Sequence, residues 1–250
     1  MQSRFFTKAG LHRFLSSLET SVEDSVTVYI ASNSFPDYAN ALSLVPEYNE
    51  CAVEIKEAVK TEAVISSAEK YGTGAAIFWN GIGDKHIVLP SFPIVENKVL
   101  VGRPDISALY EVLERRYVIG VVLVAWGSYA LGVFDAGNLV AYKVGTGYIH
   151  KKHKKGGRSQ KRFARRTEEQ KKDFLRRVGN RIEERFGNFA PDHIFFGGNR
   201  LILNPLIQES KYLQAKAGKI SSRILDVRYA DREALAGSLV EITRSLVFTF

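Results

Sequence analysis

The chain has 250 residues but a single cysteine, Cys51, and a single methionine, Met1. One thiol excludes an internal disulfide framework and any zinc site built on several thiolates. It also fits a reducing, cytoplasmic compartment. Long apolar runs are missing as well. The most apolar stretch, Val118 to Trp126, is far short of the roughly 20 residues that a membrane helix needs, so it reads as a buried strand and no membrane partner is expected. The N-terminus, Met1-Gln2-Ser3-Arg4-Phe5-Phe6, lacks an apolar core and a small-residue cleavage site, so no signal peptide is read there. His12, His86 and His193 are scattered, without HExxH or paired His/Cys spacing, and no metal or other cofactor is expected. No Gly-rich loop ends in Lys-Ser/Thr, which argues against a phosphoryl-transfer enzyme. Gly72-Thr73-Gly74 reads as a helix stop instead. Ser128 and Ser159 lie in no nucleophile-elbow context.

What remains is an ordinary globular composition, 45% apolar, with the periodicities of a mixed α/β protein. Residues 1–105 read as a small α/β unit. Leu11, Phe14, Leu15 and Leu18 follow helical spacing. Val26 to Ile30 reads as a strand, Pro46 to about Lys70 as a helix, and Ala75 to Trp79 with His86 to Leu89 as a strand pair around Asn80-Gly81. Prolines and glycines between 90 and 104 place the domain boundary after residue 105. In residues 106–250, Asp105 caps a helix with the face Ile106, Leu109, Tyr110 and Leu113. Three strands follow, Val118 to Trp126, Tyr129 to Phe134 and Leu139 to Val144, separated by short turns: an antiparallel meander. A loop is expected over 145–160. A helix then runs to Phe186, with Phe174, Val178, Ile182 and Phe186 every fourth residue. Next come a strand at His193 to Phe196, a helix starting at Asn204-Pro205 and stopping at Gly218, and a strand at Ile224 to Tyr229. A last helix is capped by Asp231 and faced by Leu235, Leu239, Ile242 and Leu246. The second part is thus a mixed sheet, a meander followed by β-α-β, covered by helices.

Charge is distributed unevenly. Residues 151–181 hold fourteen Lys and Arg against three acids, Glu168, Glu169 and Asp173. That one element exceeds the net charge of the whole chain, +8, so the rest is net acidic. Such a concentration of like charge gains nothing until a polyanion neutralises it, and nucleic acid is the natural partner. Phe163 is the only Phe, Tyr or Trp between Lys151 and Asp173. The contacts expected are therefore to backbone and shape rather than to stacked bases.

Within this element sits Gly156-Gly157-Arg158-Ser159-Gln160. The glycines allow a close backbone approach. The Gln160 amide is no general base at neutral pH, but it donates and accepts hydrogen bonds and can orient a water. Gly-Gly and Gln ahead of Arg162-Phe163-Ala164-Arg165-Arg166 resemble the catalytic loop of the archaeo-eukaryotic class-1 peptide release factor superfamily. The two-residue insertion before Gln resembles that of the Vms-like bacterial release factors, relatives of the peptidyl-tRNA hydrolases of ribosome quality control. Gly120 to Trp126, Ala130 to Phe134, Gly137 to Val140, Val144-Gly145-Thr146-Gly147-Tyr148 and Phe195-Phe196-Gly197-Gly198 resemble the same family's meander and following strand. The resemblance covers roughly residues 106–250. When the helix is aligned on Arg162-Phe163-Ala164-Arg165, the usual Gln position falls on Arg158, so Gln160 must reach the tip by a different path.

The resemblance implies a release-factor-like catalytic domain that hydrolyses the ester of peptidyl-tRNA on a stalled large ribosomal subunit. Gln160, Gly156 and Gly157 would form the catalytic tip. Lys151, Lys152, Lys154, Lys155, Arg158, Lys161, Arg162, Arg165 and Arg166 would bind rRNA and tRNA phosphates. Two other readings stay open. One is an endoribonuclease of RNA or tRNA using His150 and His153. The other is a rescue factor that binds ribosomal RNA without chemistry.

Overall fold

The computed structural model describes residues 1–19, 24–81, 83, 85–149 and 158–250, with the backbone alone for 158–161. Two compact units emerge: residues 1–115 together with 242–250, and residues 116–241.

The first unit is a six-stranded antiparallel sheet with helices on both faces. Its strands are β1 (Gln2–Phe6), β2 (Ser25–Ile30), β3 (Ala75–Asn80), β4 (Lys85–Leu89), β5 (Lys98–Gly102) and β11 (Ser245–Thr249), in the order β1-β11-β4-β3-β2-β5. Its helices are α1 (Lys8–Glu19), the short α2 (Asp37–Asn40), α3 (Asn49–Val59), α4 (Glu62–Tyr71) and α5 (Ser107–Glu114). Strand side chains alternate between faces. Val26, Val28 and Ile30 of β2 pack with Ile55, Val59 and Val64 of α3 and α4. Tyr29 on the opposite face packs with Leu11 and Leu15 of α1 and Leu109 of α5. A strand covered on both sides is buried along its whole length, as β2 is.

The expected helix from Pro46 to Lys70 is a single turn at Pro46–Tyr48 followed by α3 and α4, parted at Lys60-Thr61. Gly72 closes α4 in the left-handed conformation (φ 63°). α5 starts one residue later than expected, with Ile106 rather than Asp105 at its N-cap, though Asp105 Oδ1 accepts from Ser107 N at 2.9 Å.

The second unit holds one mixed five-stranded sheet. β6 (Val118–Ala125), β7 (Ser128–Asp135) and β8 (Asn138–Thr146) form the meander. α6 (Arg158–Phe186) follows. β9 (His193–Gly198) lies parallel to β6. Then come α7 (Arg200–Glu209), α8 (Lys211–Ala215), β10 (Ile220–Leu225), which is parallel to β9, and α9 (Arg232–Ile242). The strand order is β10-β9-β6-β7-β8. One face packs Val122, Val124, Leu131, Val133, Ile194 and Phe196 against the buried row of α6 and against Ile202 and Leu206 of α7. Asp231 caps α9 through Oδ1, which accepts from Ala234 N at 2.8 Å.

Several boundaries differ from the expectation. The strand read at Ile224 to Tyr229 is β10, Ile220–Leu225, and the helix expected to run to Gly218 divides at Ser210 into α7 and α8. α5 belongs to the first unit, because Leu109 and Leu113 complete the apolar cluster of α1; the division therefore falls after Arg115 rather than after residue 105. Leu246 is not on the last helix. α9 ends at Ile242, and Leu246 lies on β11, which returns to pair with β1 and β4. α7 starts four residues before Asn204, capped by Asn199, whose side chain accepts from Leu201 N; Pro205 sits inside the helix. Of the loop expected at 145–160, Gly145 and Thr146 belong to β8 and Arg158 to Gln160 belong to α6, while residues 150–157 lie outside the described residues.

β9 ends on a residue that only glycine accommodates. Gly198 has φ +99°, and a Cβ there would strike the Val124 carbonyl oxygen. Gly198→Ala is expected to lower stability by about 1–3 kcal/mol, read as a fall in the denaturant midpoint at constant slope.

Among the described residues no helix is long and apolar enough to cross a membrane.

Candidate nucleic-acid interface

The basic element is a helix rooted in the core at one end only. Phe174, Leu175, Val178, Ile182 and Phe186 of α6 are buried. N-terminal to Phe174 the large apolar core residues end, and the covered side chains there include Lys171 and Gln170, half-buried, and Thr167. Arg162, Phe163, Arg165, Arg166, Glu168 and Glu169 are exposed, and Thr167 alone among them is covered. At 1.5 Å per residue, the nine residues from Arg158 to Arg166 extend about 14 Å beyond Thr167, the last buried side chain of the row.

The root is fixed by close packing. Gly147 N donates to Gly127 O at 2.9 Å, and Gly127 holds φ +91° in the β6–β7 turn. The Phe174 ring lies 6.2 Å from Tyr129 and 6.4 Å from Trp126, centroid to centroid. Lys171 Nζ stands 5.1 Å over the Trp126 ring, a cation–π contact that keeps its charge at the root. A Cβ on Gly147 would meet the Phe174 ring at 2.6 Å, and one on Gly145 would meet the Tyr129 ring. The chain at the end of β8 can thus pass this close to Tyr129 and Phe174 only because it carries no side chain at these two positions.

The three acids in the basic part of α6, Glu168, Glu169 and Asp173, are already engaged. Arg165 Nε bonds Glu169 Oε1 at 2.9 Å, Lys171 Nζ bonds Glu168 Oε1 at 2.8 Å and Arg176 Nη1 bonds Asp173 Oδ1 at 3.2 Å. Exposed pairs at this spacing contribute only about 0.3–0.5 kcal/mol each, so they offset little of the repulsion along the helix. Arg162 and Arg166 have no ion-pair partner among the described residues.

Several expected site residues take defined places. Arg162, Arg165 and Arg166 stand exposed on the projecting half of α6. Arg158, Gln160 and Lys161 lie in its first turn, so Gln160 is helical rather than part of the loop. The first N–H groups of an α-helix have no intrahelical acceptor, and Gln160 is the third residue of this one. Its backbone N–H therefore has no intrahelical acceptor and lies at the positive end of a long helix dipole. Lys151, Lys152, Lys154, Lys155, Gly156, Gly157, His150 and His153 lie outside the described residues. Among the described residues no cluster of His, Cys, Asp or Glu could hold a metal ion.

Sequence reasoning missed the aromatic root of Trp126, Tyr129 and Phe174. Its members are far apart in the chain, and Trp126 alone looks like a strand end.

The family model described as Actinobacteria/chloroflexi VLRF1 release factor matches residues 117–247, just over half of the chain. Peptide chain release factor subunit 1 of Aeropyrum pernix is 25% identical over 138 residues, which are 53% of this chain and 37% of that protein. The chain thus spans little more than a third of that curated relative. Among solved structures, the archaeal translation termination factor aRF1 aligns over 95% of this chain and 72% of its own, at 16% identity and a TM-score of 0.39. Pelota of Archaeoglobus fulgidus aligns over 96% and 62%, at 9% identity and a TM-score of 0.30. The family match begins ahead of β6, runs through the meander, the basic helix and β9, and ends within β11, and on that match the chain belongs to the actinobacteria/chloroflexi VLRF1 release factor family.

Proposed function

We propose that the chain is a Vms-like peptidyl-tRNA hydrolase that frees nascent peptides from stalled large ribosomal subunits. The observation that carries this reading is the exposed cationic half of α6 with Gln160 in its first turn, within a release-factor family match. The substrate is an ester between the peptide and the terminal ribose of tRNA. Its hydrolysis needs a placed water and donors aimed at the oxygen where charge develops. Preorganised N–H donors supply that stabilisation without a nucleophile or a proton carrier of their own. The Gln160 N–H is free of the helix ladder, and the side-chain amide adds a second donor and an acceptor. Gly156 and Gly157 let the chain enter a narrow RNA cavity. Lys151, Lys152, Lys154, Lys155, Arg158, Lys161, Arg162, Arg165 and Arg166 neutralise surrounding phosphates, and the RNA closes the rest of the site.

The test is single-turnover release from purified large subunits carrying peptidyl-tRNA, followed by mapping of the tRNA end. The expected products are free peptide and tRNA with an intact 3′ CCA. A shortened tRNA would assign the chemistry to RNA cleavage instead. Stable binding without release would leave a non-catalytic rescue factor.

A further inference from the structure

The two sides of α6 below the projecting half differ in charge compensation. On the side facing α7, Glu209 approaches Lys172 Nζ at 3.6 Å and Arg176 Nη2 at 3.8 Å, and Asp173 bonds Arg176 as well. On the side facing β8 there is a groove of about 390 Å³ whose charged members are Lys143, Arg177, Arg181 and Glu184. Arg181 spends its charge on Glu184, with Nη1 to Oε2 at 2.6 Å. Lys143 and Arg177 have no ion-pair partner among the described residues.

The groove is built into the packing of the domain. Arg177, Arg181 and Glu184 are spaced to share one helix face, and Lys143 projects on the α6 face of β8, as its neighbour Ala141 does. The strand approaches this closely because Gly145 leaves room for Tyr129, which forms part of the wall. Arg177 Nη2 lies 3.1 Å from where a Cβ of Gly147 would stand, so its guanidinium is held at the start of the basic loop. A volume of this size is at the low end of ligand clefts, about 300–1,000 Å³. Two uncompensated cations on opposite walls, one of them a planar guanidinium, suit a phosphate group.

We infer that the groove between β8 and α6 takes a backbone phosphate of ribosomal RNA, held by Lys143 and Arg177 about 28 Å along the helix from Arg158. The inference rests on the RNA reading above and extends it. The domain grips RNA at two separated levels, the tip and the root, so the tip cannot pivot about a single contact. A free phosphate ion has the same chemistry, but the groove continues the line of unpaired cations at Arg162 and Arg166, as an extended polyanion requires.

The experiment measures equilibrium binding to purified large ribosomal subunits between about 50 and 200 mM salt. It compares the wild type with three double variants: Lys143→Gln/Arg177→Gln in the groove, Lys172→Gln/Arg176→Gln on the α7 side, and Arg165→Gln/Arg166→Gln near the tip. All three lose the same formal charge. The groove variant is expected to bind about tenfold more weakly at low salt, with a log–log salt slope shallower by about 0.7–0.9, the change for one phosphate no longer neutralised. The α7-side variant is expected to change the slope by less than half as much. Charge-preserving Arg177→Lys should keep the wild-type slope. The groove assignment is overturned if its variant matches the α7-side variant while the tip variant loses affinity, and the RNA reading survives that result. Absence of subunit binding by the wild type overturns both. Thermal stabilisation by inorganic phosphate that the groove variant abolishes, with subunit binding unchanged, assigns the groove to a small ligand and overturns the RNA assignment.

Discussion

Gln160→Ala is expected to reduce peptide release at least a hundredfold while leaving binding to the large subunit within twofold of wild type. The magnitude follows from the role. Removing one preorganised donor from the site of developing negative charge costs about 10²–10³ in rate, or roughly 2.7–4 kcal/mol of transition-state stabilisation. Binding, by contrast, depends on phosphate neutralisation, and Gln160 carries no charge. The salt slope should therefore be unchanged. Alanine is also a good helix former, so α6 keeps its start and its cations keep their spacing. Gln160→Pro separates the two groups of the residue. Proline is tolerated in a helix's first turn but has no N–H. If the backbone donor contributes, the proline variant releases more slowly than the alanine variant. A Gln160→Ala protein that releases peptide at the wild-type rate would refute the role given to Gln160.

Most of the second unit was legible because its signals are local. Phe174, Val178, Ile182 and Phe186 repeat every fourth residue and are all buried. The meander is punctuated by Gly127-Ser128 and by Asp135 to Asn138, which are turn residues, and its strands fall where expected. What could not be read depends on distant partners. Leu246 fits the helical spacing of Leu235 and Ile242, yet β11 is drawn out of that register by pairing with β1 and β4, more than 150 residues earlier. β1 and β5 escaped notice for a similar reason. They are edge strands: β1 offers only Phe5-Phe6 as an apolar stretch, and Val99 to Val101 of β5 lie among prolines and glycines that read as a linker. The start of α7 shows two local signals in competition. Asn199 and Asn204-Pro205 both resemble helix starts, and the earlier one caps the helix while the proline is accommodated inside. The projecting half of the basic helix was legible from charge alone. The groove at its root was not, because Lys143 meets Arg177 only when a strand and a helix pack.

Phe174→Ala is expected to lower the stability of the second unit by about 3–5 kcal/mol, the usual cost of removing a fully buried ring. Phe174 is 1% exposed and meets both Trp126 and Tyr129. Against a total stability of about 5–15 kcal/mol, that loss is severe. A second substitution shows that the ring also sets the path of the strand. Gly147→Ala drives a methyl to 2.6 Å from the Phe174 ring, an overpacking that costs about 1–3 kcal/mol by itself. In the double variant the small side chain at 174 leaves room for that methyl. The two losses should then fall short of additive by about 0.5–3 kcal/mol, the range for residues in direct contact. Denaturant titrations of the four proteins measure this coupling. Simple additivity would mean that Gly147 is not held against the ring and that the root of the basic helix is looser than the packing requires. The coupling bears on function as well. Neither substitution changes a charge, so the salt dependence of subunit binding should stay as it is. Release should fall even at temperatures where the variants remain folded, because a shift of about 1 Å in a positioning group can cost on the order of 10²-fold in rate.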